Sequence, residues 1–400
     1  MAKVKPVKVG LIGSGAISYT YLTNLTNTFS IIDMVGCSDL IPERSKARSE
    51  LFGIRQMTNE EILNDPEIEI VVNTTQITFH TEVTKMILDA GKNVYSEKMM
   101  GCSFEDAKAN IEYAKSKGLL IGAAPDTYMG AAHQTARKLI DDGWIGDPIM
   151  AQAFVLRPNR PASLAAEPDR ANFGGAGTTM PYDMGGYYIN ALLNLLGPVK
   201  RVSGYAGSRA DRVYTNPMHP NFREPIKVYP GPTSIMGCLE FHNGCWGNLV
   251  VMGESYEKEI PRIEIYGTKG WISVPDPNMF GGYGNDVYIT LSGNEGTFKM
   301  PFTHGYGDTD PSLPTTSGKP EPCYNSRRGI GVADMAWALR DGRAPRQSAE
   351  QALHAVEIVT SIEKSCRENV VCELTTKPAQ PAALPCGFIT GDDMEAALAF

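Results

Sequence analysis

Over its first 122 residues the chain alternates short apolar runs with longer stretches whose apolar positions recur at helical spacing. VKVGLI (7–12), IDMVGCS (32–38), IEIVVNT (68–74), NVYSE (93–97) and LLIGA (119–123) predict strands, and the windows between them predict helices. This alternation builds a doubly wound parallel sheet, because each helix returns the chain to the edge where the next strand starts. The helix after NVYSE has both ends marked. Ser103 is placed to cap it with Asp106 three positions on, Ala107, Ile111 and Ala114 share a face, and Gly118 ends it. Glu97 and Lys98 therefore close a strand at the carboxyl edge of the sheet, where open α/β sheets bind ligands.

Beyond Gly122 the pattern changes. A helical window, AHQTARKLIDDGWIG (132–146), leads to strand-like PIMAQAFVL (148–156), and a Pro-, Arg- and Gly-rich loop runs from Arg157 to Gly177 before the helix-like PYDMGGYYINALLNLLG. SIMGCLEFHNGCWGNLVVMGES and RIEIYGTKGWISV read as hairpins with polar turns. GIGVADMAWALRDGR and EQALHAVEIVTSIEKSCREN read as amphipathic helices, and KPAQPAALPCGF as an irregular segment or an arm that packs on something else. The expected organisation is one domain over 1–124 and a second, α+β domain over 125–400 built on a largely antiparallel open sheet.

Composition narrows the partners. A chain of 400 residues, 42% hydrophobic and 20% charged, buries enough apolar surface for two cores. No run approaches the roughly 20 apolar residues of a membrane span, and MAKVKPVKVGLIG lacks the apolar core of a secretory leader, so a cytoplasmic protein is expected. Eight cysteines without a C-x-x-C pattern predict reduced thiols. A formal charge of −8 with no long basic run argues against nucleic acid or an anionic membrane as the main partner and favours a small neutral or weakly charged ligand. His219, His242 and His304 have no paired ligand spacing, so no metal is expected.

The ligand is suggested by VGLIGSGAIS. In the turn formed by Gly13, Ser14, Gly15, Ala16 and Ile17, Gly13 permits the tight bend and Gly15 lets the backbone approach a pyrophosphate at a helix N-terminus; Ser18 takes the third glycine position. The second strand ends at Asp39, 26 positions after Gly13, where a carboxylate accepts from ribose hydroxyls and repels a 2′-phosphate. NAD is preferred over NADP. Arg44, in the next helix, either stacks on adenine or reaches a phosphate, or is a solvated helix charge.

Asp183, Tyr187, Asn190 and Asn194 fall at i, i+4, i+7 and i+11 and line one helical face. Such a stripe is ordinarily the solvated side. This one lacks Lys, Glu and Arg and instead carries short groups suited to a polyhydroxylated ligand.

GLIGSGAIS, SDLIPERS, AGKNVYSEK, DDGWIGDPIMAQ, YDMGGYY and RIEIYGTKGWISV together resemble the Gfo/Idh/MocA family of NAD(P)-dependent sugar and inositol dehydrogenases over nearly the whole chain. The resemblance implies a Rossmann first domain. The family's Glu-Lys-Pro motif falls on Glu97 and Lys98 with Met99 in place of proline, and its Asp-x-Gly-x-His motif on Asp183, Gly185 and Tyr187, with tyrosine in place of histidine as in the glucose-fructose oxidoreductase branch. It also implies Thr75, His80 and Glu97 beside the dinucleotide, though His80 reads equally as a plain helix-start residue, and Tyr128, Arg157 and Tyr188 as substrate contacts. An open sheet face that packs on a partner subunit implies a homo-oligomer. AAPDTYMG, YDMGGYY and PAALP resemble bacterial glycoside 3-oxidases, which make 3-keto sugars.

Oxidising a secondary alcohol sends a hydride from carbon to nicotinamide and a proton from oxygen to a base. Burial and the cationic ring are expected to lower the ammonium pKa of Lys98, with Tyr187 as the other acid/base candidate and Asp183 orienting Lys98 or binding a sugar hydroxyl. The runner-up is a free-sugar or inositol dehydrogenase that releases NADH, and the rival class a non-enzymatic NAD-binding sensor. MFGGYGNDVY and THGYGDTD either stack on a sugar face or form plain turns.

Overall fold

The computed structural model describes residues 4–101, 103–157, 179–208, 223–224, 231–253, 262–282, 284–308 and 327–386. Its first sheet comprises β1 (Val7–Ile12), β2 (Ile32–Ser38), β3 (Arg55–Gln56), β4 (Ile70–Asn73), β5 (Asn93–Ser96) and β6 (Ile121–Ala123). All pairs are parallel, in the order β3-β2-β1-β4-β5-β6, so the winding reverses between β1 and β4 and opens a crevice at their carboxyl ends. Two expected strands start later than the apolar runs do. The Ile68 N–H closes a turn on the Asp65 carbonyl, and the Leu120 N–H donates to the Asn93 side chain rather than to a ladder.

The helices are α1 (Ala16–Asn27), α2 (Pro42–Phe52), α3 (Asn59–Asn64), α4 (His80–Asp89) and α5 (Phe104–Lys117). The α5 caps are those read from sequence: Ser103 Oγ accepts from Asp106 N at 3.3 Å, and Gly118 turns left-handed at φ +66°. Strand β3 and helix α3 were not expected individually, although Thr58 and Glu61 form a capping box visible in the spacing T-x-x-E.

The second sheet contains β7 (Pro148–Leu156), β8 (Val199–Gly207), β9 (Ser234–Phe241), β10 (Trp246–Met252), β11 (Ile263–Gly267), β12 (Gly270–Val274), β13 (Val287–Leu291), β14 (Phe298–Met300) and β15 (Cys372–Glu373). The order is β14-β13-β12-β11-β7-β10-β9-β8-β15, and β7 with β10 is the parallel pair in a sheet otherwise antiparallel. After α6 (Ala131–Asp141), the helix expected from Pro181 onward is two: α7 (Met180–Asp183) and α8 (Gly185–Leu196), joined at Met184. A Cβ on Gly186 would lie 2.7 Å from Met99 Sδ, so α8 presses against the loop that follows β5. This close approach brings Lys98 and Asp183 together.

One face of the second sheet is covered by α8 and by α10 (Ala349–Glu368), whose Val356, Ile358, Val359 and Ile362 share its core with Leu239, Leu249 and Ile265. The helix α9 (Ile330–Asp341) returns to the first sheet, where Ile330, Val332 and Met335 pack with Val7, Leu11 and Tyr95. The Pro/Ala-rich segment packs on its own chain: Leu384 is buried, its N–H donates to Gln134 Oε1 at 2.8 Å, and its carbonyl lies 2.9 Å from His304 Nε2. Among the described residues no helix is long and apolar enough to cross a membrane.

Candidate active site

The turn after β1 is shaped by two glycines with opposite requirements. Gly13 has φ +102°, and a Cβ there would sit 2.7 Å from the Thr74 carbonyl carbon. Around Gly15 a Cβ would meet nothing within 4 Å, and α1 starts there without a side-chain cap, leaving its first N–H groups open. Ala16 and Ile17 form that first turn. Asp39 is tied to the same place: Oδ2 accepts from Ser14 N at 2.7 Å and Oδ1 from Ile41 N at 2.8 Å. It lines a cavity of about 450 Å³ with Ser45, Met57, Asn59 and Glu61. Each carboxylate oxygen retains acceptor capacity, so an uncapped helix end, an unobstructed glycine and an anchored carboxylate fit the pyrophosphate and ribose of NAD.

Ser18 turns inward and donates to the Gly15 carbonyl at 2.6 Å. Arg48 braces the same carbonyl at 3.3 Å and Ser18 Oγ at 3.2 Å, with its guanidinium 5.4 Å from the Tyr19 ring centre. Arg44, one turn earlier and half-buried, makes no bond to this brace among the described residues; the i, i+4 spacing of the two arginines was the available signal. Thr75 Oγ1 donates to Asn73 Oδ1 at 2.7 Å. His80 is buried, with Nε2 at 3.0 Å from the Thr75 carbonyl and Nδ1 at 2.8 Å from that of Met99. Burial holds its pKa below the usual histidine range, so His80 clamps the loops after β4 and β5. Glu97 is likewise engaged, accepting from Tyr21 Oη at 2.8 Å and from Lys98 N at 3.1 Å.

The other side of the cleft centres on Lys98. Its Nζ donates to Asp183 Oδ1 at 2.5 Å and to the Asp183 carbonyl at 2.9 Å, and lies 5.1 Å from the Tyr187 ring centre. Burial disfavours the ammonium, but attraction to Asp183, Tyr187 and Glu97 outweighs it and holds the pKa above the ordinary lysine value. The expected lowering weighed burial and a cationic ring but not the attraction of the Asp183 carboxylate at 2.5 Å, which turns the shift upward. Two of the three ammonium hydrogens are used; the third has no acceptor among the described residues. The Tyr187 oxygen accepts from Arg328 Nη2 at 2.9 Å, and its own O–H has no acceptor among the described residues. Arg328 was missed, since nothing in CYNSRRGI distinguishes it from a surface arginine before a helix.

The polar stripe divides. Asp183 and Tyr187 face the site, whereas Asn190 accepts from Gln351 Nε2 at 2.8 Å and Asn194 Oδ1 lies 3.5 Å from Gln134 Nε2, both within the core. Two expected substrate contacts are bound behind the site. Asp276 accepts from Arg157 Nη2 at 2.5 Å, from Tyr188 Oη at 3.3 Å and from Asn278 N at 3.0 Å. Asn278 Oδ1 in turn accepts from Arg328 Nη2 at 2.5 Å, so Arg157 and Tyr188 buttress the site through this chain of bonds. Tyr128, buried, donates to the Arg346 carbonyl at 3.0 Å, which commits its hydroxyl to the core. The loop 158–177 lies outside the described residues, as do His219 and Tyr283. Phe280 and Tyr306 of the aromatic loops pack on each other in the core, ring centres 5.6 Å apart. Among the described residues no three His, Cys, Asp or Glu side chains converge as a metal site.

Residues 7–124 match the family model described as an oxidoreductase family with an NAD-binding Rossmann fold, and residues 133–273 the one described as the GFO/IDH/MocA C-terminal domain. The chain is 30% identical over 156 residues to an inositol 2-dehydrogenase/D-chiro-inositol 3-dehydrogenase of Lactiplantibacillus plantarum, covering 38% of this chain and 44% of that protein. It is 24% identical over 270 residues to the NAD-dependent scyllo-inositol 2-dehydrogenase of Bacillus subtilis, covering 67% of this chain and 73% of that one. The chain spans about half the length of the first curated relatives it matches. Its fold is similar to that of a levoglucosan dehydrogenase solved with NADH, at a TM-score of 0.73 and 19% identity over 93% of this chain and 100% of that one. An aldose-aldose oxidoreductase from Caulobacter crescentus solved with glycerol gives 0.69 and 18%, over 92% and 100%.

Proposed function

The chain belongs to the Gfo/Idh/MocA oxidoreductases, and we propose that it oxidises a secondary ring hydroxyl of a sugar or glycoside, C3 of a glucosyl unit being the foremost candidate. The observation that carries this reading is a pair of groups with no acceptor among the described residues, the third N–H of Lys98 and the hydroxyl of Tyr187, on a cleft whose other side fits a dinucleotide. The ammonium holds an oxygen that gains negative charge as its proton leaves, and the Tyr187 oxygen lies on the same cleft to exchange that proton. NAD bound along the first sheet supplies the hydride acceptor. Lys98, kept cationic by Asp183, stabilises the developing oxyanion, and Asp183 fixes its direction. The Lys98 and Asp183 side chains are only 15% and 18% exposed, so water competes little for the substrate oxygen.

The names of the curated relatives favour a second reading, a free inositol as the alcohol. A glycoside substrate also accommodates a retained cofactor that returns its hydride to a ketone. Purified protein is to be denatured to quantify released NAD(H). Intact protein is then assayed with glucosides, free sugars and inositols, with and without added NAD or a 3-keto sugar, and products identified by NMR. Ketone formation from a glycoside supports the proposal, formation from an inositol the second reading, and no oxidation of any of these alcohols sinks both.

The outer face of the second sheet supports a homo-oligomer. Cross-strand registers put Trp246, Met150, Tyr266 and Trp271 in one row and Tyr205, Met236, Val250 and Phe154 in another. Trp246 is 68% and Tyr205 76% exposed in the single chain. Light scattering that reports a monomer at micromolar concentration would remove this part of the proposal.

A further inference from the structure

We propose that Arg328 acts through Tyr187 as the positioning residue that holds its phenolate; this rests on the alcohol-oxidation reading above, with Tyr187 as the acid/base and Lys98 as a fixed cation. A guanidinium has donors only and stays protonated, so Arg328 neither takes the Tyr187 proton nor supplies one. Its Nη2 occupies one side of the Tyr187 oxygen at 2.9 Å, with the guanidinium carbon 5.5 Å from the ring centre. When that oxygen loses its proton, its negative charge already has a buried, charge-assisted donor in place. Lys98 is paired differently. Deprotonating it would strand the Asp183 carboxylate in a nearly dry site. The two cations therefore have separate partners and separate tasks.

Arg328 is held from three directions before any substrate arrives. Asn278 Oδ1 accepts a bond from the same Nη2 at 2.5 Å, and the Arg328 carbonyl accepts from Asn24 Nδ2 of α1 at 2.7 Å. The N–H groups of Gly329 and Gly331 both donate to Asp126 Oδ2, at 2.7 and 3.2 Å, which pins the start of α9. Among the described residues the ionisable groups around Tyr187 are Lys98 and Asp183 on one side, Arg328 on the other, and Asp126 behind it, with Glu97 acting on both cations. In the oxidation, the alcohol O–H bond breaks and its proton passes to the Tyr187 oxygen, while the C–H bonding pair leaves as hydride to NAD. The product is a ketone, and Tyr187 returns its proton to solvent for the next cycle.

The experiment compares Arg328→Met, Arg328→Lys, Tyr187→Phe and the Arg328→Met/Tyr187→Phe double variant. A phenolate absorbance step that the parent shows and Tyr187→Phe lacks reports Tyr187 alone and needs no turnover. In Arg328→Met it should move to higher pH by about one unit or more, and Arg328→Lys should recover part of the shift. In steady state each Met or Phe variant should lower kcat by roughly 10²-fold with a much smaller change in KM. The double variant should be no slower than the slower single, because Arg328 acts through the oxygen that is removed. An unmoved absorbance step, or losses that multiply in the double variant, overturns the proposal. If the parent oxidises no polyol, the functional reading falls while the absorbance step still decides the Arg328–Tyr187 pair. Should Arg328→Met fail to fold, Asn278→Ala loosens the guanidinium without removing it and should move the step in the same direction.

Discussion

The two sides of the cleft are built on different principles. On the dinucleotide side the parts are close in sequence: Gly13, Ser14 and Gly15 follow one strand, and the bond that anchors Asp39 to them spans 25 positions. Its chemistry is mostly backbone conformation, a left-handed glycine and open N–H groups at the start of α1. On the proposed alcohol side, Lys98 meets Asp183 across 85 positions, Arg157 meets Asp276 across 119, and Arg328 meets Tyr187 across 141. Its chemistry is mostly side-chain charge, paired only when the two sheets and α9 are in place. A site assembled at long range ties reactivity to the packing of the whole molecule.

The largest expected effect separates the two sides directly. Lys98→Met should lower turnover by about 10²- to 10⁴-fold while NAD affinity, read by fluorescence titration, and the far-UV spectrum change little. Near-normal turnover in that variant would remove Lys98 from the chemistry and undo the contrast.

A middling effect concerns the packing on which the alcohol side depends. His354 lies under the second sheet, where Nε2 accepts from Val199 N at 3.1 Å, and burial pushes its pKa down to about 4. The unfolded imidazole titrates near 6.5, so the contribution of neutral His354 is complete above about pH 6.5 and is lost as pH falls toward 4, at most roughly 3 kcal/mol. Asp126 and Asp308, raised by burial to about 6, act in the opposite sense over the same range, since the folded state takes up their protons first. Urea midpoints at pH 7 and 4.5 should fall further for the parent than for His354→Gln. Equal falls would mean that the imidazole is not held neutral.

The smallest effect lies on the dinucleotide side. In the proposed NAD site Asp39 accepts from ribose and repels a 2′-phosphate, so Asp39→Ser should narrow the preference for NAD over NADP by about tenfold or less. Unchanged affinities for both would place the adenosine end away from β2.

Much of the fold could be read from the chain alone. Strands β1, β2, β5 and β7, the hairpins 234–252 and 263–274, and helix α5 follow from apolar runs, alternation and caps, signals confined to a few neighbouring residues. The dinucleotide turn with Asp39, and the identity of Lys98, Asp183 and Tyr187 as candidates, were legible for the same reason. The break at Met184, the return of α9 to the first sheet, the raised rather than lowered Lys98 pKa, and Arg328 at Tyr187 were not. Nor was the fate of the polar residues: Asn190, Tyr128 and Tyr188 carry the same hydrogen-bonding groups as Tyr187, but their partners lie in the core. Local propensity and hydrophobic period decide which elements form, because they depend on neighbours along the chain. Which polar group faces a ligand and which is consumed by a buried partner depends on elements more than 80 positions away, and is settled only when those elements pack.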